Sequence, residues 1–153
     1  MINQHIGFFI GGGNMAQALI SGLVSCGVEP SLITVADPSS EAREQLSAKG
    51  LNTIDPTADA TAAVIGADIV VLAVKPQVMK AVVSGFADAL DQQLVISVAA
   101  GLSTALLTDM LGGYSNIVRA MPNTPAAVAQ GITAMIGNAT TGSAKCVKTD
   151  RED

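Results

Sequence analysis

Aromatic side chains are scarce in this chain: tryptophan is absent, tyrosine occurs once and phenylalanine three times in 153 residues. A core must therefore come from the alanine, valine, isoleucine and leucine that dominate its 49% apolar fraction. That is the composition of strands buried under helices on both faces. Histidine occurs once, as His5 ahead of the first apolar run. It has no acidic partner in the local sequence and reads as an exposed terminal residue, and no Ser-His-Asp set is found. Neither Cys26 nor Cys146 has a second cysteine nearby, which excludes a disulfide framework and metal-ligand spacing. Cys26 reads as a small core residue of the first helix, and Cys146 falls in a polar tail. Paired carboxylates on one helix face are also missing. Basic residues are few, 8 Lys+Arg against 13 Asp+Glu for a net charge of −5. They form no cluster and no stripe interleaved with aromatics, so nucleic acid is not an expected partner. No apolar run approaches the ~20 residues that span a bilayer. Met1 is followed almost at once by a strand, without a basic n-region or cleavage site. The expectation is a soluble cytoplasmic chain, long enough for one core and too short for two ordinary domains.

What is present is concentrated near the start. Residues 6–19 read as a buried strand running through a glycine turn straight into a helix. Gly11-x-Gly13-x-x-Ala16 is the core of the dinucleotide-binding fingerprint. Gly11 lets the chain turn sharply, and Gly13, lacking a Cβ, lets the backbone approach a pyrophosphate. Ala16 keeps the helix tight against a sheet. The helix N-terminus offers free N–H groups and partial positive charge to phosphates. Met15, Ala18, Leu19, Gly22 and Leu23 follow at helical spacing. A purely structural glycine turn is the bland alternative.

Strands and helices alternate along nearly the whole chain. Strands are expected at 6–10, 32–36, 51–54, 68–73, 94–98 and 116–121, with a short one near 132–136. Helices are expected at 14–26, 39–48, 57–66, 77–90 and 103–110. This order implies an α/β fold with a doubly wound, mostly parallel sheet, right-handed crossovers and helices on both faces. Residues 1–138 form one domain in this reading, and residues 139–153 a polar linker or disordered tail.

In such sheets the ligand lies beyond the C-terminal strand ends. Asp37 stands where an acidic residue commonly accepts hydrogen bonds from the adenosine ribose, which favours NAD over NADP. It is equally suited to cap the next helix with Pro38 as its first residue. Ser39, Ser40 and Arg43 argue the other way, since together they suit a phosphate. Spacing alone leaves the choice open. Lys75, before Pro76, emerges from a strand end toward the same crevice, where it suits cofactor phosphate or simple solvation. Ser97 to Gly101 supplies small residues that either let a flat ring approach the backbone or pack tightly. Asn123 and Thr124 bring the strongest hydrogen-bonding side chains to the sixth strand end, or simply form a turn. Without an acid-base or metal constellation, hydride transfer remains compatible, because a cofactor carries that chemistry.

Four segments, residues 6–16, Leu-Ala-Val-Lys-Pro-Gln at 72–77, Ser-Val-Ala-Ala-Gly at 97–101 and Val-Arg-Ala-Met-Pro-Asn-Thr-Pro at 118–125, together resemble pyrroline-5-carboxylate reductase. The resemblance covers residues 6–138 and implies that family's N-terminal, Rossmann-like cofactor domain. It implies reduction of the small-molecule substrate 1-pyrroline-5-carboxylate to L-proline with NADPH (NADP), NAD being possible. It also implies a homo-oligomer for the full-length family protein. Carried over by motif, the phosphate loop is Ile10, Gly11, Gly12, Gly13, Asn14 and Met15. Adenosine contacts fall on Asp37 and Ser39, further contacts on Ala73, Val74, Lys75 and Pro76, and nicotinamide contacts on Val98, Ala99 and Ala100. Asn123 completes the candidate set, and no side chain is assigned as catalytic. Two departures stand out. Nothing matches the family's C-terminal helical domain with its Gly-Ser-Gly-Pro-Ala-Tyr-like segment, so this chain is expected to bind cofactor and be inactive alone. The acidic Asp37 bears on the NADP preference. A β-hydroxyacid dehydrogenase-like reductase domain and a non-catalytic nucleotide-sensing module are the alternatives.

Overall fold

Runs of β-branched and leucine side chains with no polar interruption predict strands wet on neither face. A computed structural model describes residues 7–25, 27–99 and 101–119 and places the most deeply buried strands at the centre of its sheet. The order is β1 (Gly7–Ile10), α1 (Asn14–Ser25), β2 (Ile33–Ala36), α2 (Ser40–Ser47), β3 (Asn52–Ile54), α3 (Pro56–Ile65), β4 (Ile69–Leu72), α4 (Pro76–Ser84), β5 (Leu94–Ser97), α5 (Thr104–Met110) and β6 (Ile117–Arg119). The strands form one sheet in the order β3-β2-β1-β4-β5-β6, every neighbouring pair parallel. The chain reverses its direction of winding between β1 and β4, the switch point at which α/β sheets open a ligand crevice.

Strand alternation divides the core into two layers. Phe9, Val35, Ile69, Val71 and Ile96 pack with Leu19 and Leu23 of α1 and Leu46 of α2. Phe8, Ile10, Val70, Leu72 and Val95 pack with Val64 of α3, Met79 and Val83 of α4 and Leu107 of α5. β4 and β5 are buried at every position, as helices on both faces require.

Three expectations need correction. The buried stripe of α1 is Ala16, Leu19, Ile20 and Leu23, while Met15 is 38% exposed. The helix is apolar around most of its girth, so spacing left its phase open by one residue. The expected helix 77–90 stops at Ser84: Gly85 takes the C-cap, and Ala87–Ala89 forms a separate 3-10 turn. Asp37 does not cap α2; Ser39 does, its Oγ accepting the Ala42 N–H at 3.2 Å, so Pro38 lies outside the helix. His5, Cys26, Ala100, Asn123, Thr124, Cys146, the strand expected near 132–136 and the boundary at 138 lie outside the described residues.

At the N-terminal edge of the sheet a polar knot ties β5 to β6. The Tyr114 hydroxyl donates to the Gln93 carbonyl, as does Asn116 Nδ2 at 3.0 Å. Buried Gln93 donates through Nε2 to the Val64 carbonyl at 2.9 Å. Burial pushes the Tyr114 phenol above its ordinary pKa.

Candidate functional site

In-register pairing brings the strand ends level. Ile10 is opposite Ala36 and Leu72, and Leu72 is opposite Ser97. The ladder then runs one residue further. Gly11 donates to the Ala36 carbonyl at 2.9 Å, Ala73 to that of Ile10 at 2.9 Å, Val98 to that of Leu72 at 3.1 Å and Asp37 to that of Ile54 at 3.2 Å. Gly11, Asp37, Ala73 and Val98, scattered across the sequence, therefore share one edge of the sheet at the switch point.

The three glycines stand in three different surroundings. Gly11 has φ +101°, and a Cβ there would stand 2.8 Å from the Ala73 carbonyl oxygen. Gly12 is buried, and a Cβ there would meet Leu46 Cδ1 at 3.0 Å and Asp37 Oδ2 at 3.1 Å. At Gly13 a Cβ would meet nothing within 4 Å. The fold thus supplies no steric reason for glycine at 13, and its open side adjoins the first turn of α1. First-turn N–H groups lack partners within a helix, which makes this a place for an anion. Gly13 caps that helix by accepting the Gln17 N–H at 3.0 Å. The Gln17 side chain reaches back to donate to the Gly12 carbonyl at 2.9 Å. Gln17 was not singled out in the sequence; a glutamine in the first turn after a glycine loop was the available signal.

Asp37 is oriented inward. Its Oδ2 accepts the Gly12 N–H and its Oδ1 the Ser39 N–H, each at 2.8 Å. The carboxylate thereby ties the glycine turn to the start of α2, so its negative charge faces two amide dipoles. Arg43 folds back beneath the same turn. Its Nη1 donates to the Asp37 carbonyl at 2.7 Å and lies 3.7 Å from Asp55 Oδ2. The signal for Asp55 in the sequence is Asp55-Pro56, which repeats the strand-end Asp37-Pro38 pattern.

The remaining candidates differ in what they present. Lys75 is the exposed N-cap of α4 with Pro76 as its first residue, and no side chain caps that helix. Ala73 and Val74 are half-buried beside Gly11. Val98 is half-buried, but the Ala99 and Ile10 side chains sit in the core, leaving only their backbone to a ligand. Ser97 is buried, its Oγ accepting the Ala99 N–H at 3.3 Å. Among the described residues no group of acidic, histidine and cysteine side chains suits a metal ion. No helix there is long and apolar enough to cross a membrane.

A family model described as NADP oxidoreductase coenzyme F420-dependent matches residues 5–101, a span that includes the glycine turn, Asp37 and Lys75. The chain belongs to this family. Among curated relatives, a pyrroline-5-carboxylate reductase of Pasteurella multocida is 48% identical over 130 residues, covering 83% of this chain and 47% of its own. The structure of a pyrroline-5-carboxylate reductase from Coxiella burnetii superposes with a TM-score of 0.73 at 42% identity, over 82% of this chain and 47% of that one. That of a Plasmodium falciparum pyrroline carboxylate reductase with NADP bound has a TM-score of 0.69 at 26% identity, over 84% and 45%. The resemblance read from the motifs is therefore shared by sequence and by fold. The chain spans about half the length of the curated relatives it matches.

Proposed function

We propose that this chain is the cofactor-binding half of a cytoplasmic pyrroline-5-carboxylate reductase, a homo-oligomer at full length, which reduces 1-pyrroline-5-carboxylate to L-proline. The observation that carries the reading is the open face at Gly13 beside the first turn of α1, set at the switch point of a 3-2-1-4-5-6 sheet. A bound reduced nicotinamide supplies the hydride. In this reading Gly11 to Met15 hold the pyrophosphate through backbone N–H groups. Asp37 and Ser39 border the adenosine. Ala73 to Pro76 form the floor of the crevice, with the Lys75 ammonium available to phosphate. Val98 to Ala100 and Asn123 offer one wall to the nicotinamide. The protein's contribution is position and the exclusion of water, which hydride transfer needs because the donor and acceptor carbons must meet in near-attack geometry.

NADPH is the cofactor we favour. An unengaged carboxylate at the end of β2 would repel a 2′-phosphate, but both Asp37 oxygens already accept backbone N–H groups. Ser39 begins the first turn of α2, and Arg43 lies beneath. Titrating the chain with NADPH and NADH, following the nicotinamide fluorescence, tests the assignment. Tighter binding of NADPH is expected. A clear NADH preference would return Asp37 to the role of ribose acceptor and overturn the NADPH assignment.

A further inference from the structure

Arg43 is bound to the Asp37–Ser39 turn through a hydrogen bond, and it is not alone there. Its guanidinium is pinned by the 2.7 Å bond to the Asp37 carbonyl and faces the Asp55 carboxylate at 3.7 Å. The two side chains are 23% and 43% exposed, so the pair is open to an incoming anion. The register explains why they meet. Ala36 lies opposite Ile54, so Asp37 and Asp55 leave adjacent strands side by side, and Arg43 on α2 reaches both.

From this we infer that Asp55 sets the selectivity between phosphorylated and unphosphorylated dinucleotides, by competing with the 2′-phosphate for the Arg43 guanidinium. Guanidinium has five N–H donors in a planar fork, so the bond to the Asp37 carbonyl leaves donors for an oxyanion. Each phosphate oxygen that approaches must share that charge with Asp55. An unphosphorylated ribose asks nothing of Arg43 and is indifferent to the competition. Asp37 meets Arg43 through its backbone carbonyl, while its carboxylate accepts the Gly12 and Ser39 N–H groups. Asp55 is thus a specificity-determining residue that acts through Arg43 rather than by touching the ligand. The inference rests on the reading of this sheet edge as a dinucleotide site.

The test is a double-mutant cycle on the 153-residue chain, with NADPH and NADH titrated in parallel. Asp55→Asn keeps the shape and removes the charge; it should tighten NADPH about two- to five-fold, the range of an exposed ion pair, and leave NADH unchanged. Arg43→Gln should weaken NADPH, and in that background Asp55→Asn should have no effect. Equal shifts for both cofactors, or no shift, would overturn the inference. So would a gain that survives Arg43→Gln, since Asp55 would then act by direct repulsion. Asp55→Ser removes the same charge and serves as the second variant should the asparagine protein melt early. A parent chain that binds neither dinucleotide defeats the site reading and this inference together. A parent that binds both, with selectivity untouched by Asp55→Asn, defeats this inference alone.

Discussion

The Asp37 carboxylate accepts the Gly12 backbone N–H at 2.8 Å, joining positions 25 residues apart. Through its other oxygen the same group holds Ser39 at the start of α2. One side chain therefore keeps the glycine turn and the turn into α2 at a fixed separation. Asp37→Ala should leave the buried Gly12 N–H without its partner, at a cost of about 1–3 kcal/mol in unfolding free energy. Asp37→Asn keeps one acceptor and should recover part of the loss. Denaturant melts of both variants check this. Equal stability of parent and alanine variant would remove Asp37 as a strut.

The glycines should respond differently to substitution. Gly13→Val places its branched side chain in open space, so the fold should survive while dinucleotide binding is lost. Gly11→Ala instead forces a methyl against the Ala73 carbonyl at positive φ. It should destabilise the protein by more than about 1 kcal/mol, the scale of strain in such backbone regions. Calorimetric titration and thermal melting separate the two. Gly13→Val binding as well as the parent would mean the turn is structural.

Ser39→Ala removes both a helix cap and a candidate hydroxyl contact. The cap alone predicts a stability loss of about 0.5–2 kcal/mol. If the hydroxyl also meets the 2′-phosphate, NADPH should weaken more than NADH, by about 0.5–1.5 kcal/mol for one hydrogen bond. A parallel loss for both cofactors would confine Ser39 to capping.

Tyr114 offers a pH test at the opposite edge of the sheet. Its pKa is raised above 10.0 in the folded chain, chiefly by burial, so folding favours the neutral phenol. That stabilisation is fully present below the unfolded value and is lost as pH rises through the folded one. Melting temperature should therefore fall above about pH 10, the ordinary tyrosine range, more steeply in the parent than in Tyr114→Phe. Dinucleotide affinity near neutral pH should not distinguish the two proteins.

Purified residues 1–153 should bind reduced dinucleotide yet oxidise little of it on addition of 1-pyrroline-5-carboxylate. In the proposed reading this half orients the cofactor alone, and an imine left free to diffuse gains little of the roughly 7–11 kcal/mol that fixed geometry contributes. Absorbance of the reduced nicotinamide follows the reaction. Turnover at the rate of a full-length relative would show that this half holds the whole site; binding that never supports turnover, even with a relative's other half supplied, would favour a sensing module.

The alternation of strands and helices and the glycine turn could be read from local chemistry. Apolar runs, proline and glycine act over a few residues, so their signal lies in contiguous sequence. Even the level strand ends are foreshadowed by Asp37-Pro38, Asp55-Pro56 and Lys75-Pro76. The orientation of each polar group belongs to the tertiary structure. Asp37 suited a ribose or a helix cap by spacing, and it was the pairing of β1 with β2 that brought Gly12 to its carboxylate. That the Arg43 guanidinium shares its charge with Asp55 was decided by the pairing of β2 with β3. The phase of α1, with Ala16 inward and Met15 at the rim, was decided by which face met Phe9 and Val35. A side chain with several partners of similar strength takes the one that the sheet places nearest, and that distance is set by strands far apart in the chain.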